Sequence, residues 1–79
     1  MKQTTQETID NYVKYGFEPG GFVTAVLAND LMGALARADE QNRADIYEIV
    51  IYIYNNIPSG CHGSYKKVDL WLEKKRGES

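Results

Sequence analysis

The sequence predicts an all-α domain of four helices, and three observations carry that expectation. Apolar residues recur at three-and-four spacing in four separate stretches. Gly and Pro clusters punctuate the chain between them. The one stretch that also reads as a buried strand, Ile49 to Tyr54, has no second strand to pair with among the 79 residues. The helices are expected at about 5–15, 21–37, 40–56 and 64–75. Helices 2 and 3, the longest and most apolar, would form a central hairpin with helices 1 and 4 packed across it.

Helix 1 is opened by Thr4 or Thr5 as a cap, with Glu7 and Thr8 near capping-box spacing, and is closed by Gly16. Its inward stripe is Ile9, Tyr12, Val13 and Tyr15 or Phe17. Pro19-Gly20-Gly21 is a rigid turn. Helix 2 follows, with Phe22, Val23, Val26, Leu27, Leu31, Ala34, Leu35 and Ala38 on one broad face and small residues that permit close approach. Asp39 caps helix 3, whose stripe is Ile46, Ile49, Val50, Ile53 and Ile57. The segment 58–63 is a loop by composition, and Ser64 caps helix 4, with Tyr65, Val68, Trp71 and Leu72 on one side.

A chain of 79 residues holds one domain, 1–79, because a core of this size leaves no room for a second. So short a chain buries only about 60% of its unfolded surface, and oligomerisation would help it. The net charge of −2 is unevenly placed. Residues 1 to 57 carry four Lys or Arg against eight Asp or Glu, and residues 58 to 79 carry five against three. An acidic body repels phosphate backbones, which leaves only the C-terminal piece for nucleic acid. With Cys61 as the one cysteine, no internal disulfide forms. The stretch MKQTTQETID has no apolar core of the signal-peptide kind, and no run is long enough for a bilayer, so a cytoplasmic protein is expected.

The segment PGGFVTAVLANDLMGALARADEQNR, continued by IYNNIPSGCHGSYKKVDLWLEK, resembles a group of small proteins of phage and prophage genomes. The shared pattern is a Gly-Gly-Phe turn, an Ala-Val-Leu-x-Asn-Asp-Leu helix, Ala-Asp-x-x-Asn, Tyr-Asn-x-x-Pro, and a Gly-Ser that starts a helix ending in Trp-Leu. It spans Pro19 to Leu72 and brings no activity or catalytic residue with it. The resemblance implies a mobile-element origin. It also implies an accessory protein that binds and disables or redirects a host protein, for instance one of a defence system.

Among candidate sites, Gly20 and Gly21 ahead of a helix offer a backbone nest for an anion, although a tight interhelical turn is the simpler reading. Asn29 and Asp30 interrupt the apolar run of helix 2; in an antiparallel hairpin they would meet Tyr47, Tyr52 or Tyr54, as a hydrogen-bond cluster or a recognition site. Asp39 and Arg43 read as an i,i+4 surface pair. Cys61 and His62 together are too few for a zinc site and have no third residue for nucleophilic catalysis, so they read as loop residues. No cofactor, no metal and no enzymatic activity are expected.

The aromatic set is rich for so short a chain: six Tyr, two Phe and Trp71. Helix 3 is apolar around too much of its circumference for two thin neighbours to cover, with Ile51 and Tyr52 pointing away from the inward stripe. Either helix 4 covers this surface or a second chain does, and Tyr47, Ile51, Tyr52, Tyr54 and Trp71 are the candidate contacts. Lys66, Lys67, Lys74, Lys75 and Arg76 are candidates for phosphate contact, or simply complement the helix dipole and keep the surface soluble. The expected function is therefore that of a phage-type accessory protein, a helical homodimer engaging a host or phage protein. The alternative is a small nucleic-acid-associated regulator that uses the basic last helix.

Overall fold

The computed structural model describes residues 1–78. Among them the chain forms six α-helices and one 3-10 turn: α1 Gln3–Tyr15, α2 Gly20–Leu27, α3 Leu31–Arg37, α4 Glu40–Ala44, α5 Ile46–Asn56, the 3-10 turn Ser59–Cys61, and α6 Tyr65–Gly77. The all-helical reading of the Ile49–Tyr54 run holds, since this run lies within α5. No helix is long and apolar enough to cross a membrane among the described residues.

Four helices become six because two of the expected long ones are divided. Helix 2 ends at Asn29, which adopts a left-handed φ of 62°. The N–H of Asp30 reaches back to the carbonyl of Ala25 at 2.8 Å, and that of Asn29 to Val26 at 3.1 Å. This is the Schellman pattern of helix termination, with Asn in the position that most often holds Gly. Asp30 then starts α3 as its N-cap, accepting from the Gly33 N–H at 2.9 Å. A Cβ at Gly33 would collide with that carboxylate, so the capping geometry depends on glycine.

The second division is gentler. Asp45 takes φ −95° and ψ 4° between α4 and α5, yet the i to i−4 hydrogen bonds Asp45 to Gln41 and Ile49 to Asp45 continue across it. The expected central hairpin of two long helices is therefore not the arrangement found. Instead α2 packs chiefly against α3, α6 and α1, and the short α4 leads into α5.

The expected termini fare variously. Gly16 closes α1 with φ 73°. A Cβ there would run into the side chain of Lys75, so α6 crosses close over this turn. Asp39 caps α4, accepting from the Asn42 N–H at 2.7 Å, and Ser64 caps α6, accepting from the Lys67 N–H at 3.1 Å. Neither Thr4 nor Thr5 caps α1. The helix begins after Lys2 with no side-chain cap, and Thr5 is buried instead.

One core unites these elements: Ile9, Tyr12, Val23, Leu27, Ile49, Ile53, Ile57, Cys61 and Val68, with Met1, Val13, Phe22, Val26, Tyr52, Trp71 and Leu72 packed around it. Each fully buried aliphatic side chain contributes about 1.5–3 kcal/mol. The inward stripe of α5 is narrower than the sequence suggested. Ile49, Ile53 and Ile57, four residues apart, are buried, whereas Val50 is 45% exposed. Val50 lines a cleft that α3 borders with Leu31 and Ala34 but does not fill.

Candidate functional site

Tyr12 is the joint of the closed side of the molecule. It is fully buried, and its hydroxyl donates to the carbonyl of Cys61 at 2.7 Å. Its own carbonyl accepts from the Gly16 N–H at 3.0 Å and the Trp71 indole N–H at 3.2 Å. One residue thus ties together α1, the 3-10 turn and α6. Burial holds the Tyr12 phenol well above the usual tyrosine range and pushes the Cys61 thiol up as well. Cys61 is therefore a core residue rather than the loop residue expected, its thiol kept neutral.

Trp71, expected at a partner surface, is half-buried against the core, with the ammonium groups of Lys74 and Lys75 within 4.9 Å and 5.1 Å of its ring centroid. Tyr52 also departs from its expected outward direction. It packs against the core and its hydroxyl donates to Asp10 at 2.5 Å, which raises its pKa. Both residues spend their polar groups on the fold itself.

Asn29 and Asp30 do not meet the tyrosines of α5. The Asn29 amide donates to the Gly63 carbonyl at 3.3 Å, beside the Gly63 N–H to Leu27 carbonyl bond of 2.7 Å. Asp30 accepts from the Tyr65 hydroxyl at 2.5 Å. That bond and the Gly33 N–H hold its carboxyl below the usual carboxylate range. The pair thus fastens the α2–α3 turn to the loop before α6. Asp39 likewise pairs with Lys2 at 2.9 Å rather than with Arg43.

The open side of the molecule lies between α3 and α5. Here a cleft of about 480 Å³ is floored by Val26, Ala34 and Ile53, walled by Leu31, Ile46, Val50 and Tyr54, and rimmed by Asn29, Asp30, Ser59, His62, Gly63 and Lys67. Its volume falls in the range of binding clefts. Of the exposed large apolar side chains of α3 and α5, Leu31, Val50 and Tyr54 line it, whereas Met32, Leu35, Tyr47 and Ile51 lie outside its lining. Met32 is 80% exposed, Tyr47 78%, Tyr54 76% and Leu31 60%, with Leu35, Val50 and Ile51 also exposed. Of the residues anticipated at a partner surface, Asn29, Asp30 and Tyr54 line this cleft, and Tyr47 and Ile51 are exposed on α5 outside its lining. Leu31 and Leu35 were missed because they were assigned to the inward face of an unbroken helix, and Met32 was assigned to neither face.

Gly20 and Gly21 sit in a shallower depression of about 390 Å³ with Arg37, Tyr65, Glu18 and Asp69. Two carboxylates face the single guanidinium there, and Arg37 also donates to the Gly33 carbonyl at 3.1 Å. That charge balance does not favour an anion.

The basic residues of α6 fall into two groups. Lys66 and Lys67 stand at its start and Lys74, Lys75 and Arg76 at its end, about 12 Å apart along the axis at 1.5 Å per residue. The second group adjoins α1, because Lys75 lies against Gly16. Beside it are the exposed Tyr15 and Phe17, with ring centroids 5.3 Å apart, and Lys14 is 5.2 Å from the Tyr15 ring.

Among the described residues no group of three or more His, Cys, Asp or Glu is placed to hold a metal ion. Comparison of the chain with protein-family models, with curated proteins and with solved structures finds no match.

Proposed function

We propose that this protein acts by binding another protein chain through the face formed by α3 and α5, as a small accessory protein rather than as an enzyme. The observation that carries this reading is the number of exposed large apolar side chains on the two helices that flank one cleft, three of which, Leu31, Val50 and Tyr54, line it. Seven large ones, Leu31, Met32, Leu35, Tyr47, Val50, Ile51 and Tyr54, belong to these two helices. Exposed apolar surface gathered at a cleft marks sites of association in soluble proteins. Between Ile46 and Asn56 the only charged residue is Glu48, and its carboxylate is engaged by the Met1 amine. The face thus has the depletion of charge that marks the centre of protein interfaces. The phage-type pattern of the sequence supports an accessory role that redirects a host protein, a role that needs a docking surface and no catalytic group.

The test is site-specific photocrosslinking in cells that express the chain. A benzophenone side chain replacing Tyr54 is expected to give discrete adducts of defined mass, and the same group replacing Lys66 none. Equal labelling at both positions, or none at Tyr54, rules out the α3/α5 face as the binding surface.

A second reading, contact with nucleic acid, is favoured by the grouping of Lys14, Lys74, Lys75 and Arg76 beside the Tyr15–Phe17 pair. Basic residues next to exposed rings suit single strands, whose bases stack on aromatic faces. It ranks second because Glu18, Glu73 and Glu78 share that end of the molecule and Glu78 pairs with Lys75 at 3.8 Å.

A further inference from the structure

The cleft between α3 and α5 has an alkyl body and a polar end, and the polar end holds a charge that the fold leaves unspent. Its floor and walls are chiefly Val26, Leu31, Ala34, Ile46, Val50 and Ile53. Ser59, His62, Gly63 and Lys67 line it from the 3-10 turn, the loop that follows and the start of α6. The Lys67 side chain folds back over Gly63, where a Cβ would stand 3.4 Å from both its Cδ and its Nζ. The ammonium is thereby held on the loop side of the cleft. Other polar groups of the lining are already engaged. The Asn29 amide donates to the Gly63 carbonyl. Asp30 accepts from the Gly33 N–H and the Tyr65 hydroxyl, and the Arg37 guanidinium offsets its charge. Among the described residues, by contrast, Lys67 makes no ion pair and the side chains of Ser59 and His62 make no hydrogen bond.

An unpaired cation at one end of an alkyl-lined cleft is complementary to a molecule with an alkyl body and an anionic head. From this placement of Lys67 we infer that the cleft binds a medium-chain aliphatic carboxylate, with its tail on Val26, Val50 and Ile53 and its head on the Lys67 ammonium. Ser59 and His62 are further donors to the head. The volume of about 480 Å³ is that of a small-molecule site, apolar in most of its lining with a few polar groups that fix orientation. An aliphatic body fits better than an aromatic one, because Tyr54 is the one Phe, Tyr or Trp in the lining and ring bodies gain from rings to stack on. A single ammonium suits a singly charged head, which favours a carboxylate over a phosphate. Lys67 is exposed, so the head stays at the watered rim and neither charge is stripped of its solvent. The inference goes beyond the proposed protein-binding role and stands without it, since it needs only the lining of the cleft.

The experiment is a titration of the full chain with decanoate, kept below its micelle concentration and followed through methyl resonances. Saturable shifts with a single site are expected at Val26, Val50 and Ile53, with Leu70, exposed on α6 and outside the lining, unmoved. Lys67→Gln is expected to weaken binding by about tenfold or more, the worth of a hydrogen bond to a charged group. Lys67→Arg is expected to retain it, and Lys66→Gln, outside the lining, to change nothing. Neutral 1-decanol is expected to bind more weakly than decanoate by the same factor. Val50→Glu, on a wall position that is 45% exposed, is expected to abolish binding while circular dichroism stays that of the wild type. Shifts that grow without saturating, or that move Leu70 equally, mean detergent-like adsorption and overturn the site. Decanol binding as tightly as decanoate, or Lys67→Gln binding as tightly as the wild type, overturns the head group at Lys67. Decyl phosphate binding more tightly than decanoate overturns the carboxylate. No shift at all removes the ligand outright, while photocrosslinking at Tyr54 reads the protein-binding role separately.

Discussion

The same residue type does opposite work on the two sides of this molecule. Around Tyr12 the side chains are enclosed, the hydroxyl is bonded and three elements are tied through one residue. The rings of Tyr47 and Tyr54 stand exposed on α5, Tyr54 at a cleft that the chain itself does not fill. The difference teaches that aromatic richness in a short chain divides between holding the fold together and presenting a surface. Which of the two a given Tyr does depends on whether an acceptor, the Cys61 carbonyl for Tyr12 or a carboxylate for Tyr52 and Tyr65, lies within reach of its hydroxyl.

The comparison is broken most sharply at its closed end. Tyr12→Ala removes a fully buried ring and is expected to cost about 3–5 kcal/mol, enough to unfold most of a marginal domain. Tyr12→Phe keeps the ring and leaves the Cys61 carbonyl without its partner, for about 1–3 kcal/mol. Thermal melts followed by circular dichroism check both. A Tyr12→Ala chain that melts like the wild type would mean the closed side is not the source of stability.

An intermediate effect is expected where the two sides meet. The folded-state pKa of Asp30 lies below its unfolded value, so the unfolded chain binds the proton more tightly. The stabilisation is present in full above the ordinary carboxylate pKa of about 4 and is lost as pH falls through the depressed folded value. Asp30→Asn is expected to make the acid limb of a melting-temperature profile shallower below about pH 4. It should also loosen α3 without unfolding α1 and α6, read as faster amide exchange confined to 29–37. A parallel acid limb for variant and wild type would remove Asp30 as the tie between α3 and α6.

The smallest effect on stability belongs to the open side. Tyr47→Ser is expected to leave the unfolding free energy of the dissociated chain within about 0.5 kcal/mol, as for surface substitutions generally. Chemical denaturation at a concentration where the chain is monomeric measures it. A loss of several kcal/mol would place Tyr47 in the core and erase the contrast between the two sides.

Much of this was legible in residues. The four periodic stretches, Gly16 as a stop, and Asp39 and Ser64 as caps all follow from local chemistry, because a cap needs only a short polar side chain three residues ahead of a free N–H. The break at Asn29-Asp30 was also written locally, as a residue tolerant of left-handed backbone followed by a good N-cap. The apolar spacing of Leu31, Ala34 and Leu35 masked it by continuing the phase of the helix before. The outward placement of Tyr47, Ile51 and Tyr54 could be anticipated from the crowded apolar circumference of α5.

What composition and spacing determined alone was that this chain is helical and has more apolar surface than it can hide. Only the tertiary structure decided which surface stays open. Beyond the break at Asn29, Leu31 comes to line a cleft with Val50, while Tyr52 and Trp71 are drawn inward by Asp10 and the Tyr12 carbonyl. Those partners lie 42 and 59 residues away in sequence. Periodicity reports which side of a helix is apolar, whereas the groups that satisfy a buried hydroxyl or indole N–H come from elements that meet only once the chain has folded.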